Sequence, residues 1–279
     1  MSRFLNLVLV TMVLGGCSQF KMLYSLGSEA IQSEAEFYLI LTWEEEAALA
    51  RSVANLALWH RTDMLPRYAA FLQETAARFN AGPLDTASVE ATVALMRGLL
   101  EKTVEGASPF VADVLVSHTA PRKVAYLRDR LDKRLAERRA EEKLARVEWI
   151  SERTKKSVGR FEHFLGEITP TQEAIVRRYF DDIADTSATW QKMREKRQKA
   201  FTDFLAQQPD RESIARFVPR ILLRSAEIVG PNYKVLADAW WKRVTGWMSE
   251  MAASMSQAQR EHLVGTLRAY ANDMIDLSA

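Results

Sequence analysis

Cysteine is almost absent from this chain: Cys17 is the only one among 279 residues. A single cysteine excludes a disulfide within the chain, so packing alone has to hold the fold together. A lone free thiol in an exported protein invites pairing between molecules. Cys17 directly follows Gly15 and Gly16, at the end of an apolar stretch.

Motifs that carry chemistry are missing as well. The sequence has no GxSxG elbow, no HExxH pair and no glycine-rich phosphate loop. The four histidines stand far apart, without the spacing of metal ligands, at positions His60, His118, His163 and His262. His60 lies on an apolar helix face, which favours packing over metal ligation. We therefore predict a protein that is not an enzyme, with no catalytic residue, no metal and no cofactor.

Long hydrophobic runs are also lacking. Phe4–Leu14 is an apolar stretch of eleven residues, interrupted only by Asn6 and Thr11. This is too short to cross a membrane, which takes about 20 apolar residues. With Arg3 before it and two glycines after it, the stretch has the form of the hydrophobic region of a secretory signal.

The end of this stretch, Leu14-Gly15-Gly16-Cys17, resembles a bacterial lipobox. The resemblance implies that residues 1–16 are a signal peptide, and that Cys17 carries a diacylglyceryl group and an acylated amine, with fatty acids such as palmitate. Each buried methylene contributes about 0.8 kcal/mol, and stable anchoring takes more than one chain. The alternatives are an ordinary cleaved signal peptide or a buried N-terminal helix with an incidental cysteine.

Ser18 bears on the location of the protein. In enteric-type sorting, aspartate at this place retains lipoproteins in the inner membrane, so Ser18 resembles the outer-membrane class. We expect the periplasmic face of the bacterial outer membrane, with the inner membrane less favoured. The predicted partners are the membrane, through the acyl chains on Cys17, and an unidentified envelope protein, with no nucleic acid.

Charge is distributed unevenly along the chain, although the net charge is only +2. Residues 18–121 carry 7 basic and 13 acidic residues, whereas residues 122–199 carry 21 basic and 14 acidic ones. The basic middle fits a solvated helix with many ion pairs, which we favour, or a surface that meets anionic lipid or an acidic partner.

The scarcity of Gly and Pro, with 11 and 8 residues, together with apolar residues at intervals of three and four, predicts an all-α fold. One such stripe ends at His60, and another contains Leu263, Leu267, Tyr270 and Met274. Three helix starts fit a capping box, in which side chains satisfy free amides: Thr42-Trp43-Glu44-Glu45, Thr169-Pro170-Thr171-Gln172 and Ser256-Gln257-Ala258-Gln259.

The helices are expected to form a bundle over residues 29–279, after an anchored N-terminal linker at 17–28, with candidate subdomains at 29–150 and 151–279. Residues 122–168 contain no proline and predict one long charged helix, bent between Thr154 and Gly159. Further predictions are a helix start at Ser108-Pro109, breaks at Gly82-Pro83, Pro121, Pro209 and Gly230-Pro231, and a kink at Pro66.

The segment from Leu58 to Tyr68, LWHRTDMLPRY, resembles the WHR…LPxY signature of a bacterial lipoprotein family known only as domain of unknown function 6279. The resemblance extends to Tyr24, to the stretch from Phe37 to Thr42 and to the Thr169–Gln172 start. It implies an all-helical envelope lipoprotein and supplies no activity. The candidate recognition residues are Trp59, His60, Arg61, Pro66 and Tyr68.

A structural role is the competing interpretation of these residues. In it, Arg61 or His60 bonds the carbonyls that Pro66 leaves unpaired. A cluster of tryptophans in one segment, Trp240, Trp241 and Trp247, is likewise assigned to core packing rather than to membrane contact.

A weaker similarity concerns Ile168–Gln172 and Met255–Gln259, which resemble the LTxxQ element of small periplasmic chaperones. It gives the first alternative function, a chaperone-like holdase for envelope proteins. The second alternative is a cell-wall hydrolase. The favoured hypothesis is a lipid-anchored, non-enzymatic binding or scaffold protein of the cell envelope.

Overall fold

The computed structural model describes residues 17–141 and 145–279, and within these ranges it contains no β-strand, so the all-α prediction is confirmed. The helices run in the order α1 (Cys17–Ser25), α2 (Gly27–Tyr38), α3 (Trp43–Trp59), a π-helical turn (His60–Met64), α4 (Leu65–Ala81), α5 (Thr86–Leu115), a 3₁₀ turn (Val116–His118), α6 (Pro121–Glu141), α7 (Arg146–Leu165), α8 (Pro170–Ile183), a 3₁₀ turn (Ala184–Thr186), α9 (Ser187–Leu205), α10 (Arg211–Leu223), α11 (Ala226–Val229), α12 (Asn232–Ala253) and α13 (Gln257–Ser278).

The predicted capping boxes are confirmed at the starts of α3, α8 and α13. In each, a hydroxyl accepts from the third helical amide and a Glu or Gln side chain accepts from the cap's own amide. The predicted breaks also hold: Gly82 and Gly230 have φ of 150° and 102°, a region that glycine tolerates best.

The predicted helix start at Ser108-Pro109 is wrong, because both residues lie inside α5. Ser108 is buried, and its hydroxyl donates to the Val104 carbonyl at 2.6 Å. The residues that follow, Ala112 and Leu115, are buried in a shared core. The burial of these side chains stabilises α5 by more than the loss of the one backbone hydrogen bond that Pro109 cannot donate.

The single long helix predicted over residues 122–168 is also wrong. Ala145, with ψ of 141°, is not helical and separates α6 from α7. Residues 142–144 lie outside the described ranges. The bend predicted between Thr154 and Gly159 falls within α7, which is helical throughout. α6 and α7 pack in different cores, and the stretch from the last turns of α6 to the start of α7, RLAERRAEEKLAR, offers few apolar residues for a core to hold.

Three apolar cores hold the helices together. α4, α7, α8, α12 and α13 form the first, and α2, α5, α6, α9 and α10 contribute to the second. A third lies where α1 meets α4 and α13, and its buried members are Phe20, Leu65, Ala69, Tyr270, Ala271 and Met274.

The most extensive helix pairings join distant parts of the chain. α4 packs along α13, and α5 packs along α10, so both pairings connect residues on opposite sides of the predicted 150/151 boundary. Residues 17–28, expected to be a linker, instead form α1 and the beginning of α2, because Phe20 is buried against the bundle. None of the helices in the described ranges is long and apolar enough to cross a membrane.

Candidate functional site

The WHR segment forms the end of α3 and the π-helical turn. Pro66 is the second residue of α4, and its ring lacks the amide that would bond the carbonyl of Thr62. The helical turn contains one extra residue here, so the Leu65 amide donates to the carbonyl five residues earlier, that of His60. The predicted kink at Pro66 thus takes the form of a π turn, a feature often found at functional sites.

The side chains that bond backbone carbonyls near this turn are not the predicted ones. The Thr62 hydroxyl donates to a carbonyl one turn earlier at 3.1 Å, and Arg67 Nε donates to the Asp63 carbonyl at 3.1 Å. His60 instead faces Tyr24, and Arg61 is exposed. The assignment failed because a sequence does not show which residues of the turn point back along the helix.

His60 has a packing role in the structure. Its Nδ1 lies 3.0 Å from the Tyr24 hydroxyl, and the two rings stack with centroids 5.8 Å apart. The Tyr68 ring lies 5.6 Å away on another side. Burial lowers the pKa of His60 to about 4 and raises the pKa of both tyrosines, so the three groups are neutral at neutral pH.

Tyr68 and Trp59 fix the turn against α5. The Tyr68 hydroxyl hydrogen-bonds to Thr103 Oγ1, which in turn donates to the Leu99 carbonyl at 2.8 Å. The Trp59 ring lies directly on Gly106, where a Cβ would stand 2.0 Å from its Cζ2. This close approach requires glycine.

The N-terminal helix packs against the same turn. Phe20 is 7% exposed, and its ring meets Tyr270 edge-on with centroids 5.6 Å apart. The Tyr270 hydroxyl lies 2.7 Å from His163 Nε2, which connects α13 to α7. Tyr24, one turn after Phe20, provides the contact with His60. α1 therefore contacts α13 and the π turn through its two aromatic side chains.

An ion pair completes this contact. Lys21 Nζ lies 2.6 Å from Asp276 Oδ2 and 3.6 Å from Asp273 Oδ1, both on α13. Asp273 is 4% exposed, and burial raises the pKa of its carboxyl group. We call the set Phe20, Lys21, Tyr24, His60 and Tyr270 the α1 dock.

A comparison with known families bears on this site. Residues 37–233 match a family described as "Family of unknown function (DUF6279)". The match covers well over half of the chain and includes the whole WHR…LPxY segment. The chain belongs to this family. No curated protein and no solved structure matches the chain.

A second DUF6279 element, Phe37-Tyr38, lies at the contact of α2 with α6. The Arg134 guanidinium stands 4.2 Å from the Phe37 ring centroid, and that of Arg130 stands 5.5 Å from it. Arg134 also pairs with Glu34 at 3.4 Å. Cations over an aromatic ring are attracted by its quadrupole, so Phe37 helps to hold two arginines of the basic middle.

The two LTxxQ-like elements of this DUF6279 protein meet in the core. Gln172 and Gln259 exchange two amide hydrogen bonds, each 2.9 Å long. Each amide oxygen also accepts from the backbone of its own cap, Thr169 or Ser256, at 3.0 Å. Gln172 is fully buried and Gln259 is 7% exposed. Both elements thus join the starts of α8 and α13.

The remaining histidines bond to the backbone. His118, which is 2% exposed, lies 2.9 Å from the Val114 carbonyl through Nδ1 and 3.2 Å from the Ile40 carbonyl through Nε2. His262 Nε2 lies 3.2 Å from the His163 carbonyl. Within the described ranges, no group of three or more His, Cys, Asp or Glu side chains is placed to hold a metal.

The tryptophan cluster packs in the core as predicted. Trp247 stacks on Tyr179 with centroids 4.2 Å apart, and Trp240 contacts Trp241 at 4.6 Å. All three tryptophans lie against the first core. The Arg97 guanidinium lies over the Trp241 ring, 4.5 Å from the ring centroid.

An open groove of about 420 Å³ lies between α7 and α8. Its walls include Arg146, Arg177 and Arg178. Arg146 pairs with Asp181 at 3.0 Å, and Arg178 pairs with Glu250. These pairs agree with the favoured interpretation of the basic segment, a solvated surface with many ion pairs.

The predicted lipidation site lies only partly within the described residues. The lipobox residues Leu14–Gly16 lie outside the described ranges, and of Cys17 and Ser18 only the helical backbone is described. Several residues that make contacts around the site were not predicted from the sequence: Phe20, Lys21, Thr103, Gly106 and Arg134. The spacing of Phe20 and Tyr24 on one helical face was the available signal, but their partners lie far away in sequence.

Proposed function

We propose that this DUF6279 protein is an outer-membrane lipoprotein, anchored by acyl chains on Cys17 and facing the periplasm. There it acts as a non-enzymatic binding or scaffold protein of the cell envelope. The observation that carries the proposal is the α1 dock. The backbone of Cys17 lies in α1, and the family's signature turn packs on this helix through Tyr24 and His60.

This arrangement suits a scaffold because the anchoring residue belongs to a helix packed on the bundle. Phe20, 7% exposed, and the Lys21–Asp276 pair at 2.6 Å tie that helix to α13. A partner bound anywhere on the bundle would then be held at a defined distance from the membrane. The signature residues Trp59, His60 and Tyr68 would serve binding indirectly, by fixing the anchored helix.

Two exposed features offer binding surfaces. Trp43 is 78% exposed at the start of α3, and Leu58 is 59% exposed at its end. The groove between α7 and α8 presents Arg177, an exposed cation. Exposed tryptophan and arginine are enriched where proteins bind one another.

The anchoring part is tested with Cys17→Ala in the full chain. The variant should lose incorporation of a labelled fatty acid and leave the membrane fraction, whereas Ser18→Ala should keep both. Unchanged labelling of Cys17→Ala would refute the anchor.

The binding part is tested by in-cell crosslinking from photoreactive residues placed at Trp43, Leu58 and Arg177. We expect one dominant envelope protein from one of these positions, and the purified pair should bind. A broad spread of unfolded proteins would contradict the scaffold role and favour a holdase. Turnover of an envelope polymer by the pure protein, lost on a point mutation, would contradict the non-enzymatic role.

A further inference from the structure

The outer side of α1 and the residue directly after it carry apolar side chains that the bundle leaves uncovered. Met22 is 58% exposed and Leu26 is 49% exposed. The Leu26 amide donates to the Met22 carbonyl at 3.3 Å, so helical geometry continues through Leu26 and places the two side chains one turn apart on one side.

The inner face of the same helix is fully engaged. Phe20 and Tyr24 contact Tyr270 and His60, and Lys21 pairs with Asp276 and Asp273. These contacts fix which side of α1 faces away from the bundle. Met22 and Leu26 therefore cannot turn inward without breaking the α1 dock.

The distance from the anchor favours one occupant for this face. Met22 is five residues after Cys17 and Leu26 is nine, which corresponds to roughly 7 Å and 13 Å along a helix rising about 1.5 Å per residue. The exposed apolar stretch ends there, because the next exposed residue is Glu29. Acyl chains on Cys17 would bring the membrane surface within this distance.

We propose that Met22 and Leu26 lie in the headgroup region of the bilayer that holds the acyl chains of Cys17. α1 is then an interfacial helix, with its apolar side in lipid and its aromatic side in the bundle. This inference rests on the proposed lipid anchor and adds to it: the bundle stands on the membrane in one orientation.

Charge gives the contact a specific character. Lys21, the only basic residue of α1, is already paired with carboxylates of α13. The contact is therefore apolar rather than electrostatic. It should not depend on anionic lipid or on salt concentration.

The test uses the full lipoprotein, purified from membranes and reconstituted into vesicles. Met22→Cys and Leu26→Cys each provide one free thiol for a fluorophore, because acylation blocks Cys17. Val235→Cys is the matched control: Val235 is 70% exposed and lies on α12, which packs on α5 and α8. The quencher is a nitroxide lipid included in the vesicles.

We expect loss of fluorescence at positions 22 and 26 but not at 235, in zwitterionic phosphatidylcholine vesicles and in vesicles with added phosphatidylglycerol alike. Equal signals at all three positions in acylated protein would overturn the interfacial helix while leaving the anchor intact. Quenching confined to phosphatidylglycerol at low salt would overturn its apolar character. Mass spectrometry measures the acylation of Cys17 independently of the fluorescence. An unacylated Cys17 would refute the proposed function and this inference together.

Discussion

Trp59 and Gly106 illustrate how one residue determines the site. A Cβ at position 106 would stand 2.0 Å from Trp59 Cζ2, far inside contact distance. We predict that Gly106→Ala displaces the indole and destabilises the fold by about 1–3 kcal/mol, the usual cost of overpacking. Urea unfolding followed by circular dichroism measures this change.

Gly98 supplies the control within the same helix, since a Cβ there would meet nothing within 4 Å. Gly98→Ala should stabilise the fold by about 0.5–1 kcal/mol, because alanine restricts the unfolded chain more than glycine does. Equal effects of the two substitutions would show that Trp59 does not rest on Gly106.

His60 gives a prediction for pH. Burial lowers the pKa of His60 to about 4, against 6.5 for the free side chain. The unfolded chain therefore binds more protons than the folded one between these values, so stability is complete above pH 6.5 and falls as the pH drops towards 4. The loss is at most about 3 kcal/mol.

The measurement is the free energy of unfolding of wild type and of His60→Gln across this pH range. Burial and the neighbouring His262 also lower the pKa of His163, so the difference between the two proteins isolates His60. Tyr24 and Tyr68 are the polar groups that face the ring, and Arg61 interacts with Tyr24. Parallel pH profiles would contradict the buried neutral imidazole.

At the scale of elements, the helix starts at Thr42, Thr169 and Ser256 could be predicted because a capping box is complete within four residues. Ser108-Pro109 has a similar local appearance but lies within α5, where burial of Ala112 decides the outcome. Local signals thus located helix ends well where side chains within four residues satisfy the free amides. They failed where a distant helix supplied the packing.

The paired glutamines lead to a prediction about two elements at once. Gln172→Ala or Gln259→Ala removes one bond of a capping box and both bonds between the two amides, while the remaining amide keeps its bond to Ser254 or Glu167, so each should cost about 1–3 kcal/mol. The double variant should cost less than the sum, because each single variant already loses both bonds between the amides. A double-mutant cycle from urea unfolding gives the coupling, expected at about 1–2 kcal/mol.

Thr42→Ala is the matched control, because its capping box is exposed and has no second box against it. It should cost about 1 kcal/mol. Strictly additive effects of Gln172→Ala and Gln259→Ala would mean that the two caps stabilise their helices independently.

At the scale of the whole molecule, the sequence indicated the helical class and the family signature but not the partners of that signature. Tyr24 and His60 are 36 residues apart, and Tyr270 lies a further 210 residues along the chain. No periodicity or local spacing relates positions so distant. The pairing of α4 with α13 and of α5 with α10 is what brings them together.

This topology predicts that neither half of the chain folds alone. A fragment of residues 17–144 contains α4 and α5 but lacks α13 and α10, so Leu65 and Ala112, which are buried in the full chain, would face water. We expect each of the fragments 17–144 and 145–279 to unfold without a cooperative transition. Mixing them should restore one, because the cut falls between α6 and α7, which pack in separate cores. Circular dichroism during urea titration distinguishes these results. Cooperative unfolding of 17–144 by itself would mean that the N-terminal half forms a domain of its own. α13 and α10 would then pack on a domain that folds without them.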